Sequence, residues 1–225
     1  MKIKNTIVLT SAITLAIFWA GCSAAKLLST ITSETPSEKI IPAEFKIAET
    51  EGKIAILVNQ PGWVRSPIDL RIALTKSINT SLAEKTKIKK NRLIEYTDVL
   101  NARMKLSEAE RDEPNAIAAK LGASYVLDVQ IMDFDLSTFA ERDFFNGIMV
   151  TKSCLLDAQG NKLWPQENDC RPAKVEIEDE KGTIETSVAR LSAATAHCIT
   201  RYFYNCKTGH FRVTEEHKEL DTYDF

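Results

Sequence analysis

The sequence predicts an α/β domain: a single mixed sheet of about five strands flanked by helices, in the order β-α-β-α-α-β-β-β-α, with α+β character toward its end. Three observations predict it. Short apolar runs rich in β-branched residues alternate with helix-period segments up to about residue 123, which implies parallel neighbours joined by helical crossovers. From Ser124 onward, alternating strands are joined by tight turns, which implies antiparallel pairing. The composition, 44% hydrophobic and 27% charged over 225 residues, is that of a globular chain and excludes a collagen, a mucin-like stalk or a disordered protein.

Lys53 to Val58 (KIAILV) has the length and β-branched content of a buried strand and is too short for a helix. Pro61 and Gly62 break it. Ser66, Pro67 and Asp69 then form a helix start: a capping hydroxyl, a proline at the first helical position and a carboxylate near the positive end of the dipole. Leu70, Leu74, Ile78 and Leu82 repeat along one face of that helix, kept narrow by Ala73 and Ser77. After the basic run Lys85 to Lys90, Arg92 to Tyr96 (RLIEY) reads as a second strand and Val99 to Met104 as a short helix. Pro114 opens another helix, carrying Ile117, Ala118 and Leu121, that Gly122 ends.

Ser124 to Phe134 places Tyr125, Leu127, Val129 and Ile131 on one face and Val126, Asp128, Gln130 and Met132 on a wetter one. Gly147 to Leu156 is the next strand, and Asp157, Gln159, Gly160 and Asn161 turn it back into Lys162 to Trp164, which Pro165 stops. Cys170 to Lys181 reads as a charged connection. Thr183 to Phe203 reads as a helix with Val188, Leu191, Thr195, Cys198, Ile199 and Tyr202 on one face. The domain therefore runs 53–206, ample for one core, and residues 207–225 read as an acidic tail.

Residues 1–21 read as a leader. Lys2 and Lys4 precede a charge-free run from Ile7 to Trp19 that closes on Ala20, Gly21 and Cys22, the order of a secretory signal peptide. An uncut membrane anchor is the lesser reading, because a spanning helix needs about 20 apolar residues and the chain turns polar at Ser23. The residues WAGC resemble the bacterial lipobox, with Trp19 where leucine is usual. That resemblance implies a Cys22 carrying palmitate-type acyl chains, and several chains hold a protein to a bilayer where one does so marginally. Ser23 rather than Asp after the cysteine implies sorting to the outer membrane, on its periplasmic face. Cleavage without lipidation, leaving a free periplasmic protein, is the alternative. Residues 22–52, rich in Ser, Thr, Glu, Lys and Pro, read as the lipidated cysteine and a flexible tether spanning roughly 30 Å. The other reading of this segment docks Ile40, Ile41 and Phe45 on the domain.

Three patterns coincide: WAGC, the strand KIAILV followed by a Ser-Pro helix start, and AIAAKLGASYVLDVQI leading to MVTKSCLLDAQGNKLW. Together they resemble the superfamily of envelope lipoproteins that includes the curli-secretion lipoprotein and the outer-membrane lipoprotein activators of penicillin-binding proteins. The resemblance covers Lys53 to Trp164 and implies the fold above and a role in binding other envelope proteins. Its motifs mark the fold: Gly122 stops a helix, Gly160 makes a turn and Trp164 is a large hydrophobe at a strand end. The curli channel inserts amphipathic hairpins into the membrane, and such strands need about 9 to 11 residues of alternating apolarity. Here Asp133, Asp135, Glu141, Arg142 and Asp143 fall in one corresponding segment and Gln166 to Glu180 is charged throughout, which disfavours a pore but not a ring.

Four cysteines follow Cys22: Cys154, Cys170, Cys198 and Cys206. In an oxidising compartment an even count suggests disulfides. Cys170 and Cys206 lie beside turn-forming residues outside the apolar pattern, so they are the expected pair; Cys154 and Cys198 are buried hydrophobes or a second bridge. His197, Cys198, Cys206, His210 and His217 cluster without any zinc-ligand spacing, so no metal or cofactor is expected. No nucleophile with an accompanying base is legible, and no catalytic residue is assigned. Asp133 and Asp135 are more often edge-wetting charges than an acid/base pair. Trp63, Phe139, Phe144 and Phe145 are aromatic residues in segments with no period to bury them. Exposed, they form a contact patch; packed under their loops, they are satellite core. A net charge of −2 gives no field for nucleic acid.

The expectation is thus a non-enzymatic, lipid-anchored adaptor or regulator that binds another envelope protein. The alternatives are an oligomeric subunit of a secretion or surface-assembly apparatus, a homo-oligomer, and a small-ligand enzyme with Asp133, Asp135 or His197 converging on a pocket.

Overall fold

The computed structural model of the chain describes residues 39–139, 144–167, 169–180 and 182–208. The leader, Cys22, His210, His217 and most of the tail lie outside the described residues. The elements are β1 (Ile40–Ile41), β2 (Ile54–Asn59), α1 (Leu70–Thr86), α2 (Tyr96–Met104), α3 (Pro114–Leu121), β3 (Tyr125–Phe139), β4 (Phe144–Asp157), β5 (Lys162–Trp164), β6 (Arg171–Glu180), α4 (Ile184–Thr200) and β7 (Cys206–Lys207). A five-stranded mixed sheet runs β2-β3-β4, and β5 and β6 share the far edge of β4. Only β2 and β3 are parallel. β1 and β7 form a separate two-stranded sheet.

Strand β2 is buried on both faces, and its period of two divides the interior into two cores. Ile54, Ile56 and Val58 face the larger core with Leu70, Leu74, Ile78 and Leu82 of α1 and Val188, Leu191 and Ile199 of α4. Ala55 and Leu57 face the smaller one with Val99 and Ala102 of α2, Ile117 and Ala118 of α3, and Val126 of β3. Each isoleucine or leucine so buried contributes roughly 1.5–3 kcal/mol. The expected stripe on α1 is wholly buried. Its N-cap is Asp69, which accepts from the Arg71 amide at 3.0 Å, while Ser66 closes the turn before it.

Strand β3 is longer than its apolar alternation suggests because that alternation changes phase. Tyr125 to Ile131 pairs with Asp157 to Thr151, and the register then slips at Met132, so that Asp133 lies opposite Val150. This bulge inserts one residue. Odd-numbered Leu127, Val129 and Ile131 face the large core before it, and even-numbered Phe134 and Leu136 pack on the same core after it. Beyond the bulge, Asp133 and Asp135 fall on the outer, exposed face. Gly147 of β4 lets α4 approach the inner face: a Cβ there would stand 3.2 Å from both Leu191 and Ile177.

Two elements differ from expectation. Arg92 to Tyr96 is not a full strand: Leu93 makes a single parallel bridge to Ile54 before α2 begins at Tyr96. Leu93 and Ile94 do alternate between the two cores, as a strand would, but the segment is used up by a helical turn at one end and by α2 at the other. Conversely, Cys170 to Lys181 is not a loop. Lys174, Glu176, Glu178 and Glu180 lie on the outer face of β6, while Val175, Ile177 and Asp179 turn inward. The core order is therefore β-α-α-α-β-β-β-β-α.

The domain begins at Ile40, not Lys53, so residues 40–52 are not tether. Trp164, 1% exposed, explains why. Its ring meets Tyr202 at 5.3 Å and Phe203 at 4.9 Å, and its indole N–H donates to Glu44 at 2.8 Å. Arg171 pairs with Glu44 at 3.0 Å and lies over the Tyr202 ring at 5.0 Å. Phe45 meets Phe203 edge-on, and the Glu44 amide donates to the Tyr202 carbonyl at 2.8 Å. The two ends of the domain are thus held to the sheet edge by one aromatic residue. Trp164→Ala is expected to cost about 3–5 kcal/mol in urea unfolding and to expose residues 40–49 to protease; a loss under 1 kcal/mol contradicts the role given to Trp164.

Candidate functional site

Asn59 ends β2, where parallel strands commonly present binding residues. The carbonyl of Val58 accepts from Arg103 of α2 at 3.3 Å, and the Asn59 side-chain oxygen accepts from the same guanidinium. Arg103 is 8% exposed, donates to the Arg111 carbonyl at 3.2 Å and pairs with Asp112 at 3.0 Å. The Asn59 amide donates to Asp128 at 3.1 Å. Asp128 lies on the face of β3 that carries Val126, at the rim of the small core, and is 6% exposed. Across the sheet it stands opposite Cys154. Arg71, joined to Asp69 by 2.7 Å and 2.9 Å contacts, lies within electrostatic reach of Arg103, as does Tyr96.

Burial pushes Asp128 up from 3.8 to about 6, against the pull of Gln130 and Arg103. Burial likewise lowers Arg103 and raises Tyr96, whereas the hydrogen bond from Arg71 holds Asp69 below the usual carboxylate range. The network is closed: each of Asn59, Arg103 and Asp128 bonds another protein group. Two shallow grooves, of about 330 Å³ beside Lys53 and Lys120 and about 370 Å³ between α1 and Leu93, lie elsewhere and do not include Asp128.

Large apolar side chains stand exposed on or next to the segments that carry this network. Trp63 is 75% exposed, and Ile72, Leu100 and Met104, from the segments that carry Arg71 and Arg103, are also exposed. The loop bearing Trp63 is fixed: Val64 is buried, its amide donates to Pro61 at 3.0 Å, and Gln60 donates to its carbonyl at 2.9 Å.

The other expected contacts do not join Trp63. Phe145 is buried against the inner face of the sheet, because odd positions of β4 point toward α4. Phe144 is half-buried on the opposite face, and the side chain of Phe139 lies outside the described residues. Phe139 and Phe144 pair at the tip of the β3–β4 hairpin, nine residues beyond the end of β2, or about 30 Å along an extended strand. Asp133 and Asp135 are on the outer sheet face, while His197 lies on α4, against the inner face, bonded to Tyr204 at 3.1 Å; they do not converge. Cys170 does not meet Cys206. All four described cysteines are free thiols, and Cys170 lies near Cys154 instead, helping to raise its thiol. Among the described residues no group of three His, Cys, Asp or Glu side chains is placed to hold a metal ion, and no helix is long and apolar enough to cross a membrane.

Sequence alone does not single out Asn59 or Arg103. The one readable signal is that Arg103 falls four residues after Val99, on the buried face of a helix, where a charge needs a partner.

No protein-family model matches the chain, and no curated protein matches it. Solved structures similar to it include lipoprotein GNA1162 from Neisseria meningitidis, 13% identical with a TM-score of 0.40, covering 67% of this chain and 99% of that one. A PelC dodecamer from Paraburkholderia phytofirmans is 11% identical with a TM-score of 0.40, covering 74% and 97%. The hypothetical protein CT253 from Chlamydia trachomatis is 11% identical with a TM-score of 0.27, covering 58% and 74%.

Because the folded-state value of Asp128 lies above its unfolded one, the folded chain binds the proton more readily. Its contribution to stability is full below about pH 4 and is lost as pH rises through 6. Relative to Asp128→Asn, the natural chain is expected to lose on the order of 2 kcal/mol between pH 4 and 7; a difference that does not change with pH contradicts the burial of this carboxyl group.

Proposed function

We propose that this chain is exported, is anchored through a lipidated Cys22 to the periplasmic face of the outer membrane, and acts without catalysis by binding another envelope protein. The address comes from the leader and the lipobox-like WAGC. The observation that carries the binding role is Trp63: a large aromatic side chain, three-quarters exposed, on a loop that is itself pinned. A large exposed tryptophan on a pinned loop is the chemistry of an interface hot spot, since little conformational entropy is lost when it is covered. Arg71 and Asp69 at the start of α1 supply charges of both signs for register. Asp128, though shifted, is enclosed by its partners and serves to fix Asn59 and Arg103 beneath the surface.

Two substitutions in the full chain test the reading. Trp63→Ser is expected to leave the unfolding transition in place, within about 0.5 kcal/mol, and to abolish co-migration with a second polypeptide when envelopes are solubilised gently and run on a native gel. Co-migration that survives contradicts the site. Cys22→Ala is expected to release the chain from the membrane fraction, and equal retention refutes lipidation. The native mass of the purified chain decides the oligomer alternative, because a closed ring of identical copies contradicts an adaptor.

A further inference from the structure

Strands β4 and β6 pair in one unbroken antiparallel register, from Phe144 opposite Glu180 to Ser153 opposite Arg171. Continuing that register one step past its last pair sets Cys154 opposite Cys170, the residue just before β6. Directly opposed residues of an antiparallel pair have Cα atoms about 4.5 to 5.5 Å apart, within the 4.4 to 6.8 Å that a disulfide usually spans. Opposed positions of an antiparallel pair carry their side chains on the same face, and Cys170 is close enough to help hold the Cys154 thiol above its ordinary range. The remaining cysteines are engaged elsewhere: Cys198 donates to the Ala194 carbonyl within α4 at 2.9 Å, and Cys206 lies beside Tyr204 and Arg201.

We infer that Cys154 and Cys170 are a redox pair that closes to a disulfide, joining β4 to the start of β6 and enclosing β5 and Trp164 in the loop between them. The inference rests on the exported address for its oxidant, a protein or small-molecule disulfide of an oxidising compartment. Cys170 is half-buried, whereas Cys154 is 5% exposed and its thiol is held well above the ordinary range by burial and by Cys170. Cys170 therefore reacts first. It gives a proton to solvent, and its thiolate attacks one sulfur of the oxidant's disulfide and displaces the other. That displaced thiolate takes the proton of Cys154, whose sulfur then attacks the sulfur of Cys170 and breaks the mixed disulfide. The second released thiolate takes a proton from solvent. Overall the pair loses two protons and two electrons, and the oxidant leaves as two thiols.

The closed link holds the strand end next to Arg171, which pairs with Glu44, and fixes Cys154 opposite Asp128. It is thus a staple between the N-terminal clamp and the network of Asn59, Arg103 and Asp128.

The test uses the full chain, purified and fully reduced, then incubated with oxidised glutathione. Remaining thiols are alkylated after denaturation and linked peptides are mapped by mass spectrometry. The expected product is a Cys154–Cys170 link with Cys198 and Cys206 alkylated, unchanged in Cys206→Ser and lost in Cys154→Ser. A Cys170–Cys206 link, or alkylation of all cysteines, overturns the pairing. The same mapping on chain taken from its own envelope tells the two readings apart: a link formed by glutathione but absent in the cell contradicts the exported address and leaves the pairing intact.

Discussion

The structure depends on β2 being buried on both faces at the edge of its sheet. Five residues, Ile54 to Val58, distribute their side chains alternately to two cores, and each core requires its own helical cover. This requirement puts α1 and α4 on one side and α2 and α3 on the other, and it forces a parallel neighbour, since three helices intervene before the chain returns as β3. It also decides where polarity can enter. The small core ends at Val126, so the next residue on that face, Asp128, and the strand terminus, Asn59, need polar partners, and α2 supplies Arg103 between them. A half-buried amide that bonds both a buried carboxyl and a buried guanidinium forms a stiff floor.

The opposite end of the domain is organised by Trp164. Its ring and its N–H hold Tyr202, Phe203 and Glu44, and with them the first and last described segments of the domain. The segment that leads back toward Cys22 therefore leaves from a fixed point beside the sheet edge.

Much of this was legible in the sequence, and the failures have physical causes. Period-two and period-3.6 patterns found α1, α3, α4, the start of β3 and the β4–β5 hairpin, where local alternation and tertiary burial agree. The extension of β3 past Phe134 was hidden because the bulge at Met132 reverses which parity faces inward, so the pattern looks broken when only its phase has moved. β6 was hidden because an edge strand keeps most of its charges on the outer face, and the inward residues Val175 and Ile177 are too few to stand out. RLIEY was misread for the opposite reason: it alternates like a strand but has room for one bridge. At the candidate site, Trp63 was legible as an aromatic residue without a periodic partner, while Asn59 and Arg103 become partners of Asp128 only through contacts 44 to 69 residues apart in the chain. The pairing of Cys170 depended on knowing the β4–β6 register, which a charged connection does not have.

The central claim is that the face bearing Trp63 recognises another protein of the envelope. A photoreactive amino acid placed at position 63 of the full chain in its native envelope, with a matched control at the exposed Lys76 of α1, tests this most directly. The account predicts one discrete adduct to a different polypeptide from position 63 and none from the control. Adducts only to further copies of the chain, or equal labelling from both positions, would contradict it.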